Sequence, residues 1–263
     1  MRKITFLFLL FTATMNAQNK KPFVIGETVE IKSTVLSENR TLNIYLPEGY
    51  NPKDSAKYPV IYLLDGSADE DFIHISGLVQ FCNFSWVNVL PRSIVVGIAN
   101  VDRKRDFTYP TTIEKDKKDI PTSGHSAKFI EFIQTELIPY IEKTYSVNNQ
   151  RMLIGESLGG LLATEILFKK PGLFGKYLIV SPSLWWDNES LLAAAPDLSS
   201  NKSISVFIAV GNEGDVMVGD SKKLNEFLSK QGLPVSFLYL SDEDHATIMH
   251  EAVYRGFEHW KVK

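Results

Sequence analysis

The chain has 263 residues, 44% hydrophobic and 22% charged, with a net charge of -3 and a pI near 6.0. These proportions belong to an ordinary globular protein with a sizeable core and exclude a disordered or fibrous chain. With no basic surplus, nothing points to nucleic acid or an anionic membrane surface as a partner. Cys82 is the single cysteine, which excludes an intrachain disulfide and a cysteine-based metal site.

Arg2 and Lys3 precede a 12-residue apolar run, Ile4 to Met15, followed by Asn16-Ala17-Gln18. The run is shorter than the roughly 20 residues that a bilayer-spanning helix needs. A short positive segment before it completes the pattern of a secretory signal. The expectation is a signal peptide over residues 1–17, cut after Ala17, and a periplasmic or secreted protein with no stable membrane insertion after cleavage. Residues 18–263 show no repeat, low-complexity block or linker and are expected to form a single domain.

Thr28 to Val35 and Thr41 to Leu46 alternate apolar and polar residues around the turn-prone Ser37-Glu38-Asn39, which predicts an antiparallel hairpin. Short continuous apolar runs follow at Val60–Leu64, Ile94–Ile98, Met152–Ile154, Tyr177–Val180 and Val206–Val210, and suit strands buried on both faces. A further strand is expected over Val235–Leu240. Helical spacing runs over Ser126–Lys143, Leu158–Phe168, Ser221–Lys230 and Thr247–Phe257. Alternation of strand and helix predicts an α/β fold, a mostly parallel central sheet with helices on both faces and an antiparallel N-terminal hairpin at one edge. Asn100–Gly124, with mixed charge and two prolines, is expected to be a surface loop, of a length often used for binding or as a lid.

Gly155-Glu156-Ser157-Leu158-Gly159 matches Gly-x-Ser-x-Gly, a pattern that occurs by chance in roughly one chain of this length in ten. Its context adds the specificity. The motif follows the strand Arg151–Ile154 and opens the helix from Leu158, the strand–turn–helix setting of a nucleophile elbow. A serine there sits on a sharp turn, with a helix N-terminus directed at the reacting oxygen. Ser157 is the expected nucleophile.

A serine hydroxyl needs a base, and in this fold the order is serine, acid, histidine. Of the five histidines, His245 follows the last strand on a polar loop, His250 and His259 fall within the next helix, and His74 and His125 precede the serine. His245 is the expected base. Glu213, just past the strand Val206–Val210, is the expected acid, with Asp215 as the alternative and a Ser–His pair without an acid also open. Backbone amides for an oxyanion hole are expected at Leu158 and at Gly66 or Ser67, where the strand ending in Leu64 runs into Asp65-Gly66, itself a turn-prone pair.

With these residues in place, the chain resembles the esterase family of the α/β-hydrolase superfamily. That family includes esterase D-type S-formylglutathione hydrolases, feruloyl and acetyl-xylan esterases, mycolyltransferases and the esterases that open trilactone siderophores. The resemblance covers nearly all of the chain beyond the signal. It rests on Tyr45-Leu46-Pro47-Glu48-Gly49-Tyr50, Tyr58-Pro59-Val60-Ile61-Tyr62-Leu63-Leu64-Asp65-Gly66, the Ser157 elbow, and Ser181-Pro182-Ser183-Leu184-Trp185-Trp186, the last closest to the siderophore branch. It implies a serine esterase acting through an acyl-Ser157 intermediate on a small-molecule or carbohydrate ester, with no metal or organic cofactor. It also implies substrate contacts from Arg103, which as a charged loop residue can instead face water, and from Trp185 and Trp186, which can instead serve packing. An acyltransferase using the same triad, or a non-catalytic ligand-binding member of the fold, are the competing expectations.

Overall fold

The computed structural model describes residues 20–53 and 55–261. The signal segment expected over residues 1–17 lies outside them. Eight strands form one sheet: β1 (Gly26–Ser33), β2 (Glu38–Tyr45), β3 (Tyr58–Leu63), β4 (Ile94–Ile98), β5 (Val147–Glu156), β6 (Lys176–Val180), β7 (Ser205–Gly211) and β8 (Val235–Leu240). Their spatial order is β1-β2-β4-β3-β5-β6-β7-β8. β1 and β2 pair antiparallel, as do β2 and β4, and every other neighbouring pair is parallel. The sheet is therefore the predicted one, with the alternating hairpin at one edge and the apolar runs in the middle.

Nine helices surround it: α1 (Phe72–Asn83), α2 (Arg103–Phe107), α3 (Glu114–Asp119), α4 (Ser126–Phe132), α5 (Ile138–Thr144), α6 (Leu158–Lys169), α7 (Ser190–Ala193), α8 (Gly214–Lys230) and α9 (Ile248–His259), among the described residues. α1 and α9 pack their buried Ile75, Val79, Ala252, Val253 and Phe257 on one face, against Ile61, Leu63, Ile154 and Phe207 of the sheet. α4, α5, α6 and α8 cover the other face through Phe129, Ile141, Leu161, Leu162 and Leu224. α6 is buried all round from Leu158 to Phe168, which fits its apolar sequence.

Three segments differ from expectation. The stretch over 100–124 is no structureless loop, because it holds α2 and α3 and buries Asp106, Phe107 and Thr108. Its tether is ionic: Arg40, wholly buried on β2, reaches Asp106 at 2.5 Å, and Arg105 bonds to both Asp106 and Glu38. That pairing links residues distant in sequence, so no local pattern announces it. The single helix expected over 126–143 is interrupted by a wider π-helical turn at Ile133–Leu137. Pro139 lacks the N–H that would bond to the carbonyl four residues back, and its ring crowds that carbonyl. The Glu136 side chain of that turn accepts Ser33 Oγ at 2.5 Å and the amides of Thr34 and Val35, closing the β1–β2 turn. The α1 helix carries Gly77 and several β-branched residues and was not among the expected elements; Cys82 on it is buried, and burial pushes its thiol up to about 11.

Candidate active site

β3, β4, β5, β6, β7 and β8 all end on one side of the sheet, where open α/β sheets carry ligand sites. The chain steps from β3 outward to β4 and then crosses to β5 on the other side of β3, all three strands being parallel. Ser157 stands at the end of β5 with φ 58° and ψ -119°, a backbone conformation that a residue with a Cβ rarely adopts. Ser157 N–H donates to the Val180 carbonyl at 3.0 Å, which locks the turn to β6. Gly155 permits the turn: a Cβ there would lie 2.5 Å from the Gly159 carbonyl oxygen.

Ser157, Ser183, Trp185, Asn212, Glu213, Met217, Asp244, His245 and Ala246 line one cavity of about 570 Å³. Within it Glu213 Oε2 meets His245 Nδ1 at 2.5 Å. The other Glu213 oxygen accepts the Gly211 amide at 3.0 Å and the hydroxyl of the buried Ser181. Burial opposes ionisation of Glu213, but the hydrogen bonds from His245, Ser181 and Gly211 outweigh it and hold the carboxyl below the usual range. In turn, the Glu213 bond raises His245 above the ordinary histidine value. A carboxylate at Nδ1 fixes the proton there and leaves the Nε2 lone pair free to act as a base. Ser157 Oγ pairs with Ser183 Oγ at 3.3 Å.

Asp215 lies in the first turn of α8, exposed and without a hydrogen bond to His245, so Glu213 alone reaches the imidazole. The remaining histidines are elsewhere: His74 and His250 face each other, His259 bonds to Ser236, and His125 precedes α4.

Of the amides expected for an oxyanion hole, Leu158 is the first residue of α6, where the N–H has no partner within its own helix. Gly66 requires a correction. Its N–H donates to the Ile98 carbonyl at 3.0 Å and so is occupied. Glycine is needed there because a Cβ would lie 2.3 Å from Gly97 Cα. The next amide, Ser67 N–H, the alternative expected at this strand end, donates to no described residue.

The three expected substrate contacts separate. Trp185 lines the cavity and is 38% exposed, whereas Trp186 is wholly buried. Trp186 Nε1 donates to the Tyr109 carbonyl at 2.9 Å and the Tyr109 hydroxyl returns a bond to the Trp186 carbonyl at 3.2 Å, so Trp186 fastens the 100–124 stretch and offers a ligand no face. Arg103 is engaged by the protein itself: Nε and Nη2 hold Asp65 at 2.6 and 2.8 Å, and Nη2 also reaches the Glu156 carbonyl at 3.2 Å. It thereby ties the β3 turn to the elbow. Sequence reasoning passed over Ser181 and Ser183, although their place at the end of β6 follows the strand-end rule. It also passed over Glu156, whose carboxyl is pushed up to about 7 by burial and by nearby Asp71, Asp65 and Glu213.

Among the described residues, no group of three or more His, Cys, Asp or Glu side chains is placed to hold a metal ion, and no helix is long and apolar enough to cross a membrane. The ferri-bacillibactin esterase BesA of Bacillus subtilis (strain 168) is 30% identical over 270 residues, covering 93% of each chain. In structure, an IroE-like serine hydrolase from Shewanella oneidensis superposes with a TM-score of 0.80 at 30% identity, over 90% of this chain and 80% of its own. The BES protein from Bacillus cereus follows at 0.78 and 26%, over 94% and 99%. The family profile described as "Putative esterase" matches residues 33–261, and the chain belongs to that family of α/β-hydrolase-type esterases.

Proposed function

We infer that this protein is an exported serine esterase that opens the ester bonds of a siderophore. The observation that carries the reading is the cavity in which Ser157, the His245–Glu213 pair and Trp185 converge. Ser157 Oγ attacks the ester carbonyl carbon as its proton passes to His245 Nε2. The carbonyl oxygen becomes an oxyanion received by the Leu158 and Ser67 N–H groups. Collapse breaks the ester C–O bond, and the departing alkoxide takes the proton from His245, leaving acyl-Ser157. Water then attacks the acyl carbon with His245 as base, and the carboxylic acid leaves with Ser157 restored.

A siderophore substrate is supported by the likeness to the ferri-bacillibactin esterase, which extends over nearly the whole of both chains. Trp185 supplies an aromatic face for an aromatic acyl group. Export is supported by the apolar run Ile4–Met15 behind Arg2 and Lys3. The test is hydrolysis of a catecholate trilactone, iron-free and ferric, beside feruloyl, acetyl-xylan and p-nitrophenyl esters, by the mature protein and by Ser157→Ala. Selective opening of the trilactone by the wild type alone is expected. Equal rates for the two proteins would sink the serine mechanism, and preference for a carbohydrate ester would move the substrate.

A further inference from the structure

Asn43 is a buried polar side chain of β2, 5% exposed, between the core residues Leu42 and Ile44. Its two ends are both used. Thr28 Oγ1, directly opposite on β1, donates to Asn43 Oδ1 at 2.9 Å, and Asn43 Nδ2 donates to the Gly66 carbonyl at 2.8 Å. A carbonyl only accepts, so this pair of contacts fixes which end of the amide is nitrogen.

The sheet order gives the second bond its meaning. Inward from the edge strand β1 the order is β2, β4, β3, β5, so the strands that carry Asn43 and Ser157 lie on opposite sides of β3, whose end leads to Gly66. In a trans peptide the C=O of one residue and the N–H of the next point in opposite directions, and no cis peptide is present among the described residues. With the Gly66 carbonyl drawn toward Asn43 on β2, the Ser67 N–H is turned away from β2. Gly66 N–H, bonded to Ile98 on β4, turns the same way as Asn43 and is lost to the site. Asp65 preceding it has φ 54°, so the turn rests in a conformation that its surroundings must hold.

We propose that Asn43 is a positioning residue for the oxyanion hole, holding the Gly66–Ser67 peptide so that Ser67 N–H faces the developing oxyanion beside Leu158. This rests on the serine-esterase reading above. It touches no substrate and acts through one peptide plane.

The test is steady-state hydrolysis of a p-nitrophenyl ester and of its thionoester, in which sulfur replaces the carbonyl oxygen, by the wild type, Asn43→Ala and the near-isosteric Asn43→Asp. Removing an oxyanion donor outright costs about 100- to 1000-fold in kcat. Loss of the group that only orients one is expected to lower kcat by roughly 10- to 100-fold with KM within about twofold. The oxoester-to-thionoester rate ratio should fall with kcat, since sulfur makes poor use of an oxyanion hole; a structural defect elsewhere would slow both substrates alike. If Asn43→Ala proves too unstable to assay, Asn43→Asp keeps the volume and removes the donor. Unchanged kcat, or a fall with an unchanged rate ratio, in a folded variant overturns the proposal. Wild-type protein no faster than Ser157→Ala would instead overturn the catalytic reading beneath it.

Discussion

Glu213 Oε2 and His245 Nδ1 lie 2.5 Å apart although 32 residues separate them in sequence. The pair joins the turn after β7 to the loop after β8. Burial leaves the Glu213 side chain 4% exposed, while the imidazole is 48% exposed and faces the cavity. One member is therefore fixed and the other is free to work.

Glu213→Gln is expected to lower kcat/KM by roughly 10²- to 10⁴-fold, because an amide at that place no longer holds the Nδ1–H tautomer or stabilises the imidazolium. The acidic limb of the pH profile reports His245, which must be neutral to act as a base. Since Glu213 raises His245, the wild-type limb should lie above the ordinary histidine value and move to lower pH in the variant. A limb that stays put would remove Glu213 from its role.

Glu156 predicts a pH-dependent stability. Its carboxyl is raised from 4.5 to about 7 in the folded protein, so between those values the folded state holds a proton that the unfolded chain has released. Stability therefore falls as pH rises through that window. Thermal or urea unfolding of Glu156→Gln should show a gain of about 3 kcal/mol over the wild type at pH 8, shrinking to below about 1 kcal/mol at pH 5. Parallel pH dependence in the two proteins would contradict this.

Asp65 is 7% exposed, and the Arg103 guanidinium grips both of its oxygens. Arg103→Ala leaves that carboxylate without its cation. Urea unfolding should show a loss of about 2–4 kcal/mol. Much of it should return in Asp65→Asn/Arg103→Ala, where no buried charge is stranded. Failure of the double variant to recover would mean that the guanidinium matters by packing on Phe107, over which it lies at 5.5 Å.

The two neighbouring tryptophans should behave oppositely. Trp185→Ala is expected to raise KM for an aromatic acyl ester by about 2- to 10-fold, with Tm nearly unchanged, because it removes an exposed ring worth roughly 0.5–1.5 kcal/mol of contact. Trp186→Ala should instead cost about 3–5 kcal/mol of stability, since it empties a fully buried site and frees the Tyr109 carbonyl. Equal effects on KM would show that the cavity extends to Trp186.

Much of this protein was legible from its residues alone, where the cause is local. Apolar runs such as Ile94–Ile98 can be satisfied only in the middle of a covered sheet, and Gly155-Glu156-Ser157-Leu158-Gly159 between a strand and a helix admits little besides an elbow. Chain order and a place on the loop after the last strand singled out His245 among five histidines, and in the fold it lines the same cavity as Ser157. The folded chain decided what depends on distant partners. That the Gly66 amide is already bonded to Ile98, and its carbonyl to Asn43, depends on two strands that pattern reading cannot align with the β3 end. Trp185 and Trp186 are the same residue type side by side, and only the approach of Tyr109 assigns one to the core and the other to the cavity. Arg103 reads as a free cation until Asp65 is folded against it. Periodicity records which face of an element is buried; hydrogen bonds and ion pairs across 38 or 77 residues leave no period to read.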